Sequence, residues 1–138
     1  MSFLTFLLTS LLILPIALGI PVPLDLAPDF MLSGETLQPN GYLQNGNCIF
    51  KMQSDCNLVL YENGSLIWAS QTANQGTNCN LAMQYDGNLV MYDGDGNALW
   101  QSNTAKDVSG TYPCVITSNC NVQIFGENQW STAMNNIA

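Results

Sequence analysis

Histidine and arginine are both absent from this 138-residue chain. The lack of histidine removes the commonest general base and the commonest neutral metal ligand. Lys51 and Lys106 are the only basic side chains, set against ten acidic ones, and the formal net charge is −8. Nucleic acid and anionic membrane both need clustered Lys and Arg, so neither is an expected partner. Charged residues make up 9% of the chain, whereas Asn, Gln, Ser and Thr are plentiful. Such a surface is neutral and rich in hydrogen-bonding groups, which suits a neutral, hydroxyl-bearing ligand. Beyond the first residues there is no long apolar run and no amphipathic helical period.

The one long apolar stretch lies at the start. Met1 to Gly19 carries no charged side chain. Phe3 to Ile16 reads as the apolar region of a signal peptide, and Ala17-Leu18-Gly19 ends in small residues, as a cleavage site does. The n-region lacks Lys and Arg, a departure from the usual pattern. A spanning helix needs about 20 apolar residues. Pro15 and Gly19 interrupt this one, and Pro21, Pro23 and Pro28 follow. The expectation is a signal peptide over 1–19, with cleavage as late as residue 27, no membrane insertion, and delivery through the secretory pathway to the cell exterior or a vacuole. One domain, 29–138, remains.

That domain is repetitive. Gln53-Ser-Asp55-Cys-Asn57-Leu-Val59-Leu-Tyr61 returns as Gln84-Tyr-Asp86-Gly-Asn88-Leu-Val90-Met-Tyr92. A decayed third copy follows as Thr117-Ser-Asn119-Cys-Asn121-Val-Gln123-Ile-Phe125. Each copy is followed by a tryptophan: Trp68, Trp100 and Trp130. The first two then continue alike, as Trp68-Ala-Ser-Gln-Thr72 and Trp100-Gln-Ser-Asn-Thr104. Ile49 to Gln53, Leu58 to Tyr61 and Leu66 to Ala69 are strand-like, and Asp55-Cys56-Asn57 and Glu62-Asn63-Gly64 are turn-like. Each repeat is expected to form a small antiparallel sheet. Three such sheets around a common axis bury one face each in a shared core, with the tryptophans as its candidates.

Three repeats of this length, each with Q-x-D-x-N-x-V-x-Y or its remnant and a later Trp, resemble the bulb-type (monocot) mannose-binding lectin family. Leu32-Ser-Gly-Glu-Thr-Leu37 is similar to that family's opening. The resemblance runs from about Asp29 to the C-terminus. It implies an all-β fold, a β-prism II of three four-stranded antiparallel sheets with pseudo-threefold symmetry. It implies a mannose-specific lectin recognising mannose-rich glycans and glycoproteins, acting in plant defence or storage, with no enzymatic activity and no cofactor.

The motif's spacing has a physical consequence. Alternate residues of a strand share a face, but a straight strand separates Gln53 from Tyr61 by about 26 Å, at roughly 3.3 Å per residue. A monosaccharide is far smaller. The chain must therefore reverse at Asp55-Cys56-Asn57, and Gly87 suits the same turn in the second copy. Asp only accepts hydrogen bonds, Asn and Gln do both, and the Tyr hydroxyl does either. Together they complement sugar hydroxyls, and Val offers an apolar patch to ring carbons. The resemblance assigns Asp55 and Asn57 to the axial 2-hydroxyl, Gln53 to the 3-hydroxyl, Tyr61 to the 4-hydroxyl and Val59 to the ring. Gln84, Asp86, Asn88, Val90 and Tyr92 take the same roles. In the third copy Thr117, Asn119, Gln123 and Phe125 all depart and only Asn121 survives, so no useful mannose binding is expected there.

Five cysteines in a secreted chain imply disulfides with one thiol left over. The family's bridge corresponds to Cys56–Cys79. Cys56 and Cys120 occupy equivalent positions, and Cys48 and Cys79 each lie five residues before the motif's first position. A closed threefold rotation then carries the family bridge onto Cys48–Cys120. Cys114 matches Phe50 and Leu81 in the other repeats and is expected as a buried free thiol.

Asp93-Gly-Asp95-Gly-Asn97 resembles the start of a calcium loop, but Ala98 stands where Gly is needed and Thr104 where Glu is needed. A hairpin turn is expected instead, and no metal. Asn63-Gly64-Ser65 is a glycosylation sequon in an expected loop, where a glycan would crowd the first site. Shallow sites of four polar groups bind weakly, and a millimolar constant corresponds to about −4 kcal/mol. Avidity then requires several sites at once, so a homodimer or tetramer is expected. Family members exchange C-terminal strands, which places that role on Trp130 to Ala138. The competing expectation is a non-lectin homologue, a taste-modifying or defence protein that works by protein contact.

Overall fold

The computed structural model describes residues 27–126 and 130–135, with the side chains of the last two residues excepted. The leader expected over 1–19 lies outside them. Twelve short strands follow in order: β1 (Phe30–Met31), β2 (Thr36–Leu37), β3 (Tyr42–Asn45), β4 (Cys48–Met52), β5 (Leu58–Glu62), β6 (Ser65–Ala69), β7 (Asn80–Met83), β8 (Leu89–Tyr92), β9 (Ala98–Gln101), β10 (Cys114–Ile116), β11 (Val122–Ile124) and β12 (Trp130–Ser131). A single 3-10 turn, Thr132–Asn135, closes the described chain. No helix among the described residues is long and apolar enough to cross a membrane.

The strands form three four-stranded sheets, β3-β4-β5-β6, β2-β7-β8-β9 and β1-β10-β11-β12. Every pairing is antiparallel. Each repeat supplies three strands of one sheet, as its strand-turn pattern predicts. The fourth comes from elsewhere: residues 30–45, ahead of the first motif, deal one strand to each sheet in turn. Phe30 pairs with Val115 and Thr36 with Ala82, far along the chain, whereas Tyr42 pairs with Lys51 nearby.

Alternation along the strands decides which side chains meet at the axis. The inner faces stack in threefold layers: Phe50, Leu81 and Cys114; Met52, Met83 and Ile116; Leu58, Leu89 and Val122; Leu60, Met91 and Ile124. All twelve are buried. The three tryptophans form a closed triangle, with ring centroids 5.7, 5.6 and 5.6 Å apart and every pair edge to face. That geometry sets positive ring edges against negative ring faces, worth about 0.5–1.5 kcal/mol per pair beyond burial. The expectation that the tryptophans build the core holds.

Two seams between sheets are closed covalently. Cys56 is bonded to Cys79 and Cys48 to Cys120, with Cα atoms 5.3 and 5.1 Å apart. The bridge carried over from the family and its rotated counterpart are both present. The third equivalent position pairs Gly87 with Tyr112, which packs there without a bond. Cys114 is the free, buried thiol of the innermost layer, and burial pushes it up to about 12.

Candidate functional site

The middle residue of each motif turn has left-handed backbone: Cys56 at φ 67°, Gly87 at 81° and Cys120 at 55°. The three turns are closed alike. Gln53 N donates to Asn57 O at 3.0 Å, Gln84 N to Asn88 O at 2.9 Å and Thr117 N to Asn121 O at 2.8 Å. The chain does reverse at Asp-x-Asn, as the size of a sugar demands. Asp55 and Asp86 each fix the turn by accepting from the backbone N–H of Asn57 and Asn88, both at 2.9 Å.

The reversal brings the two ends of the motif together. Gln53 Nε2 donates to the Tyr61 hydroxyl at 2.8 Å, and Gln84 Nε2 to the Tyr92 hydroxyl at 2.5 Å. Each tyrosine O–H remains free to donate outward, and each glutamine keeps its Oε1 as an acceptor. Register places Ile49 opposite Tyr61 and Lys51 opposite Val59, so all five motif side chains share the outward face of their sheet.

Two expected contacts come out differently. Val59 and Val90 are only 1% and 3% exposed. They lie buried at the motif rather than forming an open apolar patch. The asparagines are also partly committed. Asn57 Oδ1 accepts from Ser70 Oγ at 3.2 Å and Thr72 N at 3.3 Å. Asn88 Oδ1 accepts from Ser102 Oγ at 3.1 Å and Thr104 N at 3.2 Å. This ties the motif turn to the Ser-x-Thr segment after each tryptophan. The Asn57 amide N–H groups are left for a ligand, whereas Asn88 Nδ2 donates to Gln101 Oε1 at 2.9 Å.

The third copy shows what that tie is worth. Asn121 Oδ1 accepts from Thr132 Oγ1 at 2.9 Å, with Thr132 in the serine's place, and from Ala133 N at 3.0 Å, a backbone donor one residue earlier than in the other copies. The one motif residue kept in the third copy is the one whose side chain ties the turn to the segment after the tryptophan. Turn fixing has moved to Thr117, whose hydroxyl accepts from Asn121 N at 3.2 Å and also bonds Asn119 Oδ1. Phe125 is exposed and carries no hydroxyl, and Gln123 stands where the other copies have valine.

Hollows flank both intact motifs. One of about 340 Å³ lies beside Tyr61, walled by Tyr42, Gln44, Ile49 and Lys51. Another of about 390 Å³ lies beside Gln84 and Asp86, walled by residues 34–36 and Tyr85. Sequence reading did not single out two residues next to the sites. Lys51 faces Val59 where the second repeat has Ala82, and Gln101 faces Val90 where the first has Ala69. Their signal lies in cross-strand register, which becomes visible once the turns fix the pairing.

The sequon residue Asn63 sits at the exposed turn between β5 and β6, two residues beyond Tyr61. The Asp93 to Asn97 segment is the hairpin turn between β8 and β9. Asp93 Oδ1 accepts from Asp95 N at 3.0 Å and from Asn97 N at 2.8 Å, and Oδ2 from Asn97 Nδ2 at 3.0 Å. These bonds, the Asn97 side chain first, hold the Asp93 carboxyl below its ordinary range. Among the described residues no cluster of acids and cysteines is arranged to hold a metal ion.

Three sheets around one axis, each with its motif turned outward, define a β-prism II of the bulb-lectin type. No family model matches the chain. Individual relatives do. A mannose-specific lectin from Aloe arborescens is 42% identical over 104 residues, covering 75% of this chain and 95% of that protein. Mannose-specific lectin 2 of Colocasia esculenta is 39% identical over 135 residues, covering 92% of this chain and 50% of that protein. The chain thus spans about half the length of the Colocasia relatives it matches. Among solved structures, a lectin described as a monomeric monocot mannose-binding lectin from Gastrodia elata aligns with a TM-score of 0.72 and 41% identity, over 79% of this chain and 99% of that one. The snowdrop (Galanthus nivalis) mannose-specific agglutinin, in complex with methyl-α-D-mannoside, aligns with a TM-score of 0.69 and 42% identity, over 75% and 94%. The chain belongs to the monocot mannose-binding lectin family.

Proposed function

We propose that the protein is a secreted lectin that binds mannose-rich glycans through the first and second motifs, with the third inactive. The observation that carries this reading is the twice-repeated turn that gathers Gln, Asp, Asn and Tyr onto one outward face. Each set offers a carboxylate acceptor, amide donors and a phenolic hydroxyl to a ring with several hydroxyls. The names of its relatives, and mannose bound to the Colocasia esculenta agglutinin, point to the same ligand. Individual sites this shallow are weak, so avidity from two sites per chain, multiplied in a dimer or tetramer, gives useful strength. In the single chain β12 pairs with its own β11.

Retention on immobilised mannose, with elution by mannose and not by galactose, tests the reading. Loss of retention in a chain carrying Tyr61→Phe with Gln53→Ala and Tyr92→Phe with Gln84→Ala would assign it to these sites. Light scattering after size exclusion gives the oligomeric state, and the N-terminal residue of the protein purified from the medium of secreting cells gives the leader's cleavage point.

One observation favours a second reading, protein contact. On the third sheet's outward face Phe30 pairs across from Val115, and Phe30 and Phe125 are 45% and 43% exposed. Apolar side chains thus stand where the other two sheets carry polar sites. Failure to bind the mannose column, even as an oligomer, would make this the leading reading.

A further inference from the structure

The two intact motifs sit in different surroundings. Val59 faces Ala69 across β5 and β6, and Val90 faces Gln101 across β8 and β9. These are equivalent places, one residue after the tryptophan of each repeat. Ala69 stops at its Cβ. Gln101 extends over the sheet and accepts, through Oε1, a hydrogen bond of 2.9 Å from Asn88 Nδ2.

That bond takes one of the two N–H donors of the Asn88 side-chain amide. Its Oδ1 is already held by Ser102 and Thr104, and the residue is 6% exposed. Asn57 has the same Oδ1 partners, Ser70 and Thr72, but it is only half-buried, and its Nδ2 has no hydrogen-bond partner among the described residues. Gln101 is exposed and Asn88 is buried. The Asn88 amide thus finds its partner on an exposed residue of the neighbouring strand.

We infer that Gln101 is a specificity-determining residue of the second site, whose side-chain oxygen competes with a sugar hydroxyl for the Asn88 amide. The inference rests on the reading that both motifs take mannose. The first site presents its asparagine N–H ready to donate. At the second site Gln101 holds one of the two amide N–H donors, and a hydroxyl that takes that donor must displace the internal hydrogen bond. The loss is that of one net hydrogen bond, which weakens the second site by roughly two- to tenfold relative to the first. The chain is then a lectin with graded sites, and the grading is set by the difference between alanine and glutamine after the tryptophan.

Titration of the full protein with methyl α-mannoside, followed by two-dimensional NMR, reads the sites separately through the backbone amides of Asn57 and Asn88. The first site is expected to saturate at the lower concentration. Gln101→Ala should bring the second site to the first site's Kd, and Ala69→Gln should weaken the first by a similar factor without touching the second. With the 2-deoxy analogue, which lacks the hydroxyl assigned to the asparagine, Gln101→Ala should produce no gain. Equal Kd values at the two sites of the unaltered chain, or a second site weakened by Gln101→Ala, would overturn the inference while leaving the lectin reading in place. No shift at either turn with methyl α-mannoside overturns both.

Discussion

Tyr112 packs its ring against the backbone of Gly87 at the one inter-sheet seam that has no disulfide. A Cβ on Gly87 would lie 3.3 Å from Tyr112 Cγ and Cδ2. The corresponding pairs are Cys56 with Cys79 and Cys120 with Cys48. The fold thus closes its three equivalent seams twice with a covalent bond and once with an aromatic ring. Tyr112 is itself anchored. Its N–H donates to Ser33 Oγ at 2.9 Å, its hydroxyl donates to Val108 O at 2.8 Å, and Lys106 Nζ lies 5.4 Å from its ring centre.

The uncrosslinked seam should be sensitive to both partners. Gly87→Ala places a side chain at φ 81° and against the ring, costing about 1–2 kcal/mol. Tyr112→Ala removes the packing and should cost about 3 kcal/mol or more. Thermal unfolding should fall by roughly 4–8 °C per kcal/mol in a domain of this size. An unchanged Tm in Tyr112→Ala would show that this contact does not hold the seam.

Asn121 should matter for stability and not for sugar. Its Oδ1 receives two hydrogen bonds that hold the segment after Trp130. Asn121→Ala leaves those donors without their acceptor, at about 1–3 kcal/mol. Denaturant unfolding should show the loss, while the folded variant keeps its retention on mannose. A variant with intact stability but lost retention would return the third copy to the list of binding sites.

Cys114 should be inert in the folded protein. Its thiol is buried and pushed up to about 12, from an ordinary 9.0. Iodoacetamide at pH 8.5 should label it only in denaturant. Because the folded value is raised, the unfolded chain releases this proton first as pH climbs. The group's contribution to stability is therefore complete below about 9 and declines as pH rises from there toward about 12. Cys114→Val should flatten that alkaline decline in a series of denaturation curves.

Asp93 works in the opposite direction. Hydrogen bonds from Asn97 first, then Asp95 and Gly96, favour its charged form and lower its pKa. Its support for the β8–β9 turn is present above the ordinary carboxylate range and fades as pH falls through the lowered folded value. NMR titration of the Asp95 and Asn97 amides should show them holding their shifts to below pH 3.8, the ordinary value. A midpoint at or above that value would count against the turn's hydrogen bonds.

Much of the architecture can be read locally. The repeat of the motif and its tryptophan sets three sheets around an axis, since turns, alternation and Trp spacing depend on neighbours a few residues apart. A bend at Asp55-Cys56-Asn57 is expected if the motif is to form one compact site, and the chain does turn there, with left-handed backbone at Cys56 and Gly87. Rotation of one disulfide onto the next needs only the alignment of the repeats, and both bridges are found.

Other features depend on pairing between distant segments. Nothing in Phe30–Met31 or Thr36–Leu37 shows that these short strands belong to the third and second sheets, because their partners Val115 and Ala82 are reached only through tertiary contact. Lys51 and Gln101 stand beside the motif valines through cross-strand register. The nearly complete burial of Val59 and Val90 depends on packing that exists only in the assembled sheets. So does the division of each asparagine between scaffold and site. Which side chains each motif brings to its turn follows from a reversal within nine residues, and is therefore legible locally. Which of their hydrogen-bonding groups remain free is settled by contacts across the sheet. That depends on Ser70, Ser102 and Gln101, which the sheet brings back from the next strand.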